Sequence, residues 1–315
     1  MHLKPQTLLQ IVGKAINLIL VRPNESSDTN ALIQLHSLWH NRTVSQQEVL
    51  GRIQAVQMAN GAYLVALEGE KMLGYGSYAL VPGLVGWYNL HIYIHPDFRR
   101  RGTGQKLAQE IIARVRHLPD VQALMTIFPI ENSDLARFCE SLGLTLEKYD
   151  WQYALDSLKG LVAPDFPTGI SLQHYSNNQV KRFVKLHHRS FADTLYFQPY
   201  QPEEVRYEQT INPDFLMIFA QDQAKKDIGL VWLRMESLGQ QKTAIIEPLG
   251  IIPEWRSKGL GRALMLEALG QARLLQAQRS ELWVQSWNTP ACQLYEKLGY
   301  QRRGGKVSYT LHFTK

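Results

Sequence analysis

Cysteine is scarce in this sequence. Cys139 and Cys292 are the two cysteines among 315 residues, too few for a framework of disulfides. No paired cysteine and histidine spacing suggests a zinc site, so we expect no metal. A disulfide-stapled secreted domain and a structural zinc domain are therefore excluded, and a reduced, cytoplasmic location is expected.

Long apolar runs are also missing. No stretch approaches the about 18 uninterrupted apolar residues that cross a bilayer, so we expect no membrane partner. The first 23 residues superficially resemble a signal peptide, but Lys14 interrupts their apolar run and no convincing cleavage site follows. We predict instead an amphipathic helix that leads into a first strand.

The remaining composition is that of a globular protein with two domains. Hydrophobic residues make up 45% of the chain, which argues against disorder, and domains of about 150 residues are typical. The net charge of +6 suits either nucleic acid or a phosphate-rich small molecule. No RNA-binding motif or recognition-helix pattern accompanies the charge, so we expect no nucleic-acid partner.

Two motifs occur twice in the chain. RRRGTGQKLA has a counterpart in RSKGLGRALM, with Gly102 against Gly259 at an offset of 157 residues. ENSDLARFCESLGL and WNTPACQLYEKLGY repeat at an offset of 156 residues, with Asn132 against Asn288. Paired motifs at nearly one separation indicate two tandem copies of one domain.

The boundary between the copies falls in a segment with two prolines and two glycines, Asp156–Gly169. We therefore predict domains at 1–160 and 165–315.

The periodicity of both copies predicts an α/β fold with a mixed sheet. Antiparallel strands come first, followed by a unit of strand, helix and strand. In the second copy, strands are predicted at 169–175, 215–221, 227–236, 243–252, 281–287 and 300–313, and helices at 178–191, 203–210, 261–275 and 290–299. The first copy follows the same order, with strands at 87–95 and 123–130 and helices at 103–115 and 133–143.

The repeated turn has the form Arg-x-x-Gly-x-Gly and opens directly into a helix. Such a turn presents backbone N–H groups and the positive end of the helix dipole to one point, which suits an anion. GxxxxGK[ST] is absent, and Leu264 stands where a dinucleotide fingerprint requires Gly or Ala. A ligand-free helix cap would be the preferred interpretation of one copy alone, but the paired repeats favour a bound anion.

IIEPLGIIPEWRSKGLGRALM followed by SWNTPACQLYEKLGY resembles the GNAT superfamily of acetyl-CoA-dependent N-acetyltransferases. The resemblance covers most of both halves and implies two tandem GNAT folds (acyl-CoA N-acyltransferase folds), an arrangement of which mycothiol synthase is an example in this family. Nothing in the residues identifies that substrate. The resemblance implies acetyl-CoA (coenzyme A) as co-substrate.

The resemblance also implies which residues contact coenzyme A. The strand before the turn would hydrogen-bond the pantetheine arm, and the turn would bind the pyrophosphate. These residues are Leu249, Gly250, Ile251, Arg256, Ser257, Lys258, Gly259, Leu260, Gly261, Arg262 and Asn288. Their counterparts in the first copy are Arg99, Arg101, Gly102, Thr103 and Gly104.

Acetyl transfer to an amine needs a neutral nucleophile and a proton for the departing thiolate. Glu247 interrupts an apolar strand, and alternation places it on the same side as Leu249 and Ile251. It is a candidate base, with orientation of the acceptor's ammonium or pairing with an arginine as equal alternatives. Tyr295 matches the family's usual general acid, whereas without the resemblance it would be read as core packing.

The first copy keeps the turn but not these two groups. Cys139 stands where the second copy has Tyr295, and Leu90 stands where it has Glu247. We predict a degenerate domain that binds coenzyme A poorly or without turnover, although Tyr88, His91 or Tyr93 could supply substitute groups.

The acceptor is predicted to be a primary amine on a small molecule or peptide. An aromatic segment after the first helix of the second copy lies where this family builds acceptor contacts, and its candidate residues are Asp193, Tyr196, Phe197 and Tyr200. Packing of this loop against the core is an equal alternative for each residue. An acyl-CoA sensor without turnover is the alternative function, and either a monomer or a dimer fits the sequence.

Overall fold

The computed structural model describes residues 19–176, 179–212, 215–238 and 241–313. The amphipathic helix expected at the N-terminus lies outside these residues, and the strand that follows it begins at Ile19. The described residues form two compact units. The first comprises residues up to Thr126 with Ser133–Leu146 and the segment from Tyr309, and the second comprises Ile127–Asn132 with Glu147–Ser308.

The first unit places its helices around a mixed sheet. Its elements are β1 (Ile19–Pro23), α1 (Thr29–His40), α2 (Gln46–Met58), β2 (Ala62–Glu68), β3 (Lys71–Leu80), β4 (Trp87–Ile94), α3 (Thr103–Arg116), β5 (Ala123–Pro129) and α4 (Ser133–Ser141). The strand order is β1-β2-β3-β4-β5. The β4–β5 pair is parallel, and the other three pairs are antiparallel.

The second unit repeats this plan. Its elements are β6 (Thr145–Leu155), β7 (Ser171–His174), α5 (Val180–Phe191), α6 (Pro202–Ile211), β8 (Leu216–Gln221), β9 (Asp227–Leu238), β10 (Gln241–Ile251), α7 (Leu260–Leu274), β11 (Arg279–Gln285), α8 (Thr289–Lys297) and β12 (Gln301–His312). The strand order is β12-β6-β11-β10-β9-β8-β7. The β10–β11 pair is parallel, as is its counterpart in the first unit.

A glycine in each sheet lets a helix approach closely. A Cβ on Gly229 of β9 would lie 2.8 Å from Ile251 Cδ1 and 3.0 Å from Leu264 Cδ1 of α7. Gly76 of β3 has the same function in the first unit, where a Cβ would lie 2.9 Å from Ile111 Cδ1 of α3. Apolar residues of α3 and α7 therefore fill the cores directly above these glycines.

The predicted α/β fold with a mixed sheet is confirmed. The helix predicted at 261–275 is Leu260–Leu274, and the strand predicted at 281–287 is Arg279–Gln285. In the described part of the chain, no helix combines the length and apolar character that a bilayer crossing requires.

The boundary between the two units does not fall at one position in the chain, because each unit contains more than one chain segment. Most of β6, which ends the first repeat, pairs with β11 within the second unit, from Ser280↔Leu155 to Gln285↔Asp150. The C-terminal end of β12 belongs to the first unit, where Phe313 N–H donates to Gln122 O. The domains at 1–160 and 165–315 remain a prediction about the repeats.

This exchange predicts that a fragment of residues 161–315 will not fold alone. Without β6, the edge of β11 loses its hydrogen-bonding partner and is exposed to other chains. We expect aggregation or a broad thermal transition in circular dichroism, and recovery of soluble protein when residues 1–160 are co-expressed. A monomeric fragment with a cooperative transition like that of the full chain would contradict this expectation.

Candidate active site

The parallel pair β10–β11 opens partway along its length. The register runs from Thr243↔Arg279 to Ile246↔Leu282 and stops there. Beyond this point β10 continues against β9 to Ile251, while β11 continues against β6. The edge of β10 that faced β11 is therefore free of a strand partner over its last residues, so its backbone can bind an extended ligand.

An irregularity in β10 lies at the start of this opening. The register with β9 shifts between Ile246 and Leu249, where Pro248 has no N–H to donate. The corresponding pair of the first unit, β3 with β4, has a continuous register from Gly74↔Ile94 to Leu80↔Tyr88. The two copies therefore differ at the strand that precedes the turn.

Because of this shift, the prediction that Glu247 lies on the same face of the sheet as Leu249 and Ile251 is wrong. Before it, Ile245 opposes Arg234, and after it, Leu249 opposes Val231. The extra residue therefore places Glu247 on the Arg234 face, opposite to Leu249 and Ile251. Simple alternation was wrong here because it assumes an uninterrupted strand.

The glycine turn has one backbone conformation in both copies. Ser257 and Gly259 have φ of 60° and 82°, and Arg100 and Gly102 have φ of 62° and 80°. Within the part of the chain that the structure describes, no side chain caps α7 at Gly259, so the first N–H groups of the helix remain available for an anion.

Contacts at Gly261 bring three parts of the site together. An added Cβ would lie 3.7 Å from Leu294 Cδ2 of α8 and 3.8 Å from Ile251 Cγ1 of β10. The turn, the free end of β10 and α8 are thus neighbours.

Arg256 and Asp193, which the sequence analysis assigned to different ligands, bind each other. Arg256 donates to the two carboxylate oxygens at 2.6 and 2.8 Å, and to Ser190 O at 2.8 Å. The hydrogen bond from Arg256 lowers the pKa of Asp193 from its ordinary value. The guanidinium therefore ties the turn to the end of α5, and Lys258 remains nearby as a second cation.

Glu247 is paired as well. Arg234 Nε donates to Glu247 Oε1 at 2.8 Å, and the Glu247 side chain is 31% exposed. Glu247 also contributes, after burial, to raising the pKa of Tyr200 to about 12. The carboxylate thus pairs with an arginine at the irregularity of β10 and acts electrostatically on the phenol of Tyr200.

Tyr295 lies on α8 with its ring in the core. Its exposure is 7%, and its ring lies 6.3 Å from that of Tyr153 and 5.9 Å from that of Tyr300. Burial raises the pKa of Tyr295, which keeps the phenol protonated. Asn288 Oδ1 accepts from Ala291 N–H at 3.3 Å and so caps α8.

The predicted acceptor residues lie beside α5. Tyr196 donates to Glu147, and its ring lies 5.7 Å from Trp287. Phe197 lies 5.7 Å from His187, and Tyr200 lies 4.9 Å from the same imidazole. Tyr200 also packs 5.9 Å from Trp232, so it belongs as much to the core as to a cleft.

Sequence reasoning missed the partners of these residues. Arg234, Glu147 and Ser190 were not singled out, and each contacts a predicted site residue. Arg234 directly follows the apolar run 228–233 of β9, which is a local signal comparable to that of Glu247. The other two carried no local signal, because their contacts depend on strand pairing and on the course of the loop after α5.

The first unit has a thiol where the second has Tyr295. Cys139 is 3% exposed on α4, and burial raises its pKa to about 12. Among the described residues, no group of three or more His, Cys, Asp or Glu side chains is placed to hold a metal ion.

Comparison with known proteins identifies the fold and the family. The profile of the acetyltransferase (GNAT) family matches residues 30–144 and 182–300, which is most of the chain. A tandem GNAT protein from the clavulanic acid biosynthesis pathway shares the fold with a TM-score of 0.66 at 17% identity, over 94% of this chain and 98% of that one. A GCN5-related N-acetyltransferase from Sphaerobacter thermophilus gives a TM-score of 0.65 at 17% identity, over 93% and 95% of the two chains.

Two relatives by sequence are mycothiol acetyltransferases. Mycothiol acetyltransferase of Thermobispora bispora is 27% identical over 69% of this chain and 74% of its own length. That of Saccharopolyspora erythraea is 23% identical over 92% and 99% of the two lengths. The chain therefore belongs to the acetyltransferase (GNAT) family and is an N-acetyltransferase with tandem GNAT domains.

Proposed function

We propose that the C-terminal copy transfers an acetyl group from acetyl-CoA to a primary amine of a small molecule or peptide, by direct attack of the amine on the thioester. One observation carries the proposal: the open edge of β10, the uncapped glycine turn and the helix that bears Tyr295 meet around Gly261.

The residues of this site fit acetyl-CoA. Its diphosphate suits the N–H groups that begin α7, and Lys258 adds positive charge. Its arm carries amides, which match the free backbone edge at Leu249 and Ile251. When bound, acetyl-CoA supplies an activated acetyl group as a thioester.

Tyr295 is proposed to hold a proton on Oη and to donate it to the departing sulfur. The buried ring is fixed by its neighbours, and its raised pKa keeps the proton in place at neutral pH. Thr289, Pro290 and the Asn288 cap begin the helix that positions this hydroxyl.

Glu247 is proposed to orient the acceptor's ammonium, which loses one proton to solvent before the neutral amine attacks. The second proton, released from nitrogen as the amide forms, replaces the proton that Tyr295 gives to the sulfur. Glu247 Oε1 already accepts from Arg234, which fixes the carboxylate and leaves its second oxygen for the acceptor. The name of the relatives specifies an acceptor for them alone, and for this chain we propose only the class of amine.

Binding of acyl-CoA without turnover is the competing role for the C-terminal copy. The pairs Arg256–Asp193 and Arg234–Glu247 favour it, because each already neutralises a residue that turnover would use. Release of free thiol from acetyl-CoA that depends on an added amine separates the two functions.

Tyr295→Phe is expected to lower kcat about a hundredfold, because it removes a general acid but keeps the ring. The Kd for acetyl-CoA should change little. Thiol release across a panel of amines measures kcat, and calorimetry measures Kd. The matched control is Tyr300→Phe, whose hydroxyl donates to Ser280 Oγ at 2.8 Å in the core. Equal turnover in Tyr295→Phe and wild type would remove Tyr295 from the mechanism.

Gly259→Ala is expected to raise KM for acetyl-CoA about tenfold, and Gly102→Ala to leave it unchanged. Both positions have positive φ with open space around the added methyl. Each alanine therefore strains the backbone of its turn by the same amount, about 1 kcal/mol. The difference reports which turn serves turnover. If Gly102→Ala raised KM as much as Gly259→Ala, the assignment of turnover to the C-terminal copy would fail.

Glu247→Gln is expected to raise KM for the amine about tenfold while kcat changes less, because it removes an attraction of about 1.4 kcal/mol for the bound ammonium. Steady-state kinetics with varied amine measure both constants. A fall in kcat with KM unchanged would instead identify Glu247 as the base.

A further inference from the structure

The first unit contains a cluster of imidazoles and aromatic rings with no counterpart in the proposed mechanism. His36 of α1 is 1% exposed, with Nε2 at 2.6 Å from the Tyr63 hydroxyl and Nδ1 at 3.2 Å from the Tyr75 hydroxyl. Both ring nitrogens thus have hydrogen-bond partners, which hold this histidine in place at the buried end of the cluster.

The other residues of the cluster extend from His36 to the protein surface. Trp39, which is 41% exposed, lies 4.3 Å from the ring of His40 and 4.4 Å from that of His91. His40, His91 and Arg52 are half-buried. An indole, two imidazoles and a guanidinium therefore border one surface region of this unit.

The cluster has an unsatisfied polar atom and an unneutralised charge. His40 Nε2 is buried without a hydrogen-bond partner among the described residues. Arg52 has no carboxylate within ion-pair distance in the described part of the chain, and residues 1–18 contain no Asp or Glu. Glu48, the nearby carboxylate, is held by Arg42 at 2.7 Å.

The charge of Arg52 acts on every imidazole of the cluster. After burial, it is the next cause that lowers the pKa of His36 and of His91 to about 4, and it also lowers that of His40. A bound anion would neutralise the charge of Arg52 and would allow the neighbouring imidazoles to be protonated. This environment therefore favours an anionic ligand.

The position of His91 relates the cluster to the fold. It lies on β4 beyond Asn89↔Met125, the last pair of β4 with β5. In the unbroken register of β4, His91 shares the face of Tyr93, which packs in the core formed with α1. The corresponding face of β10 carries Glu247, so an acidic group in one copy is replaced by a basic cluster in the other.

We propose that the first unit binds the carboxylate or phosphate group of a small molecule between Arg52, His40 and His91, with Trp39 stacking on an attached ring. This gives the repeat that lacks a tyrosine at position 139 a binding role of its own. It does not depend on transfer chemistry in the second unit.

Binding of an anion should take up protons. The anion raises the pKa of His40 and His91, so affinity is expected to rise as pH falls from about 7.5 to about 5.5. The titratable and charged groups that face this region from the surrounding elements are His36, His40, Arg42, Glu48, Arg52, Tyr63, Tyr75, His91 and Tyr93. Of these, the two half-buried histidines are the groups whose protonation changes.

Calorimetry of the full chain with benzoate, its neutral isostere benzamide, and inorganic phosphate tests the proposal. Benzoate or phosphate should bind at about 10 mM or below, and benzamide should not. Stronger binding of benzoate would indicate an aromatic carboxylate ligand, and stronger binding of phosphate a phosphate ester. The titrations are run with saturating acetyl-CoA, which would occupy the glycine turns, so that phosphate bound at a turn does not contribute to the signal.

Arg52→Gln should weaken binding of the preferred probe at least about tenfold, whereas Arg52→Lys should restore part of it. Arg114→Gln, which removes an arginine paired with Glu110 on α3 away from this cluster, is the matched control and should bind normally. Thermal transitions verify that each variant folds. The proposal is overturned if neither anion binds, if benzamide binds as tightly as benzoate, or if Arg52→Gln binds like wild type.

Discussion

The proposed site of the second unit depends on the separation of β10 from β11. Parallel strands normally hide their backbone groups from solvent and ligand alike. Here pairing ends after Ile246↔Leu282, and β11 stays in the sheet by pairing with β6. The open edge therefore requires no loss of core structure, since apolar residues of α7 still cover β9 and β10 from one side.

The two repeats show which parts of this arrangement are shared and which are separable. Both end the parallel pairing early and both adopt the same glycine turn. They differ in the strand irregularity at Pro248 and in the residue on the last helix, tyrosine in one copy and cysteine in the other. The glycine turn is thus common to both copies, whereas the tyrosine and the strand irregularity occur in one copy alone among the described residues.

Much of this could be predicted from the sequence because the relevant signals are local. Helix periodicity and a glycine turn that opens into a helix are each determined within a few residues, and α7 and the turn before it lie where the sequence predicts them. The prediction of the face on which Glu247 lies failed because one extra residue in a strand moves every later side chain to the opposite face of the sheet. No residue type marks that insertion uniquely. The partners of Glu247 and Arg256 were inaccessible for a different reason: Arg234 and Asp193 reach them through strand pairing and the path of a loop.

The exchange of short segments between the units has a consequence during synthesis. The first unit includes residues from Tyr309 onward, so a ribosome that has completed the first repeat has not yet supplied all of its residues. Domains usually fold in order as they emerge. Here the earlier unit must wait in an incomplete state until the later repeat has been translated, which links the final folding of both units to a single late event.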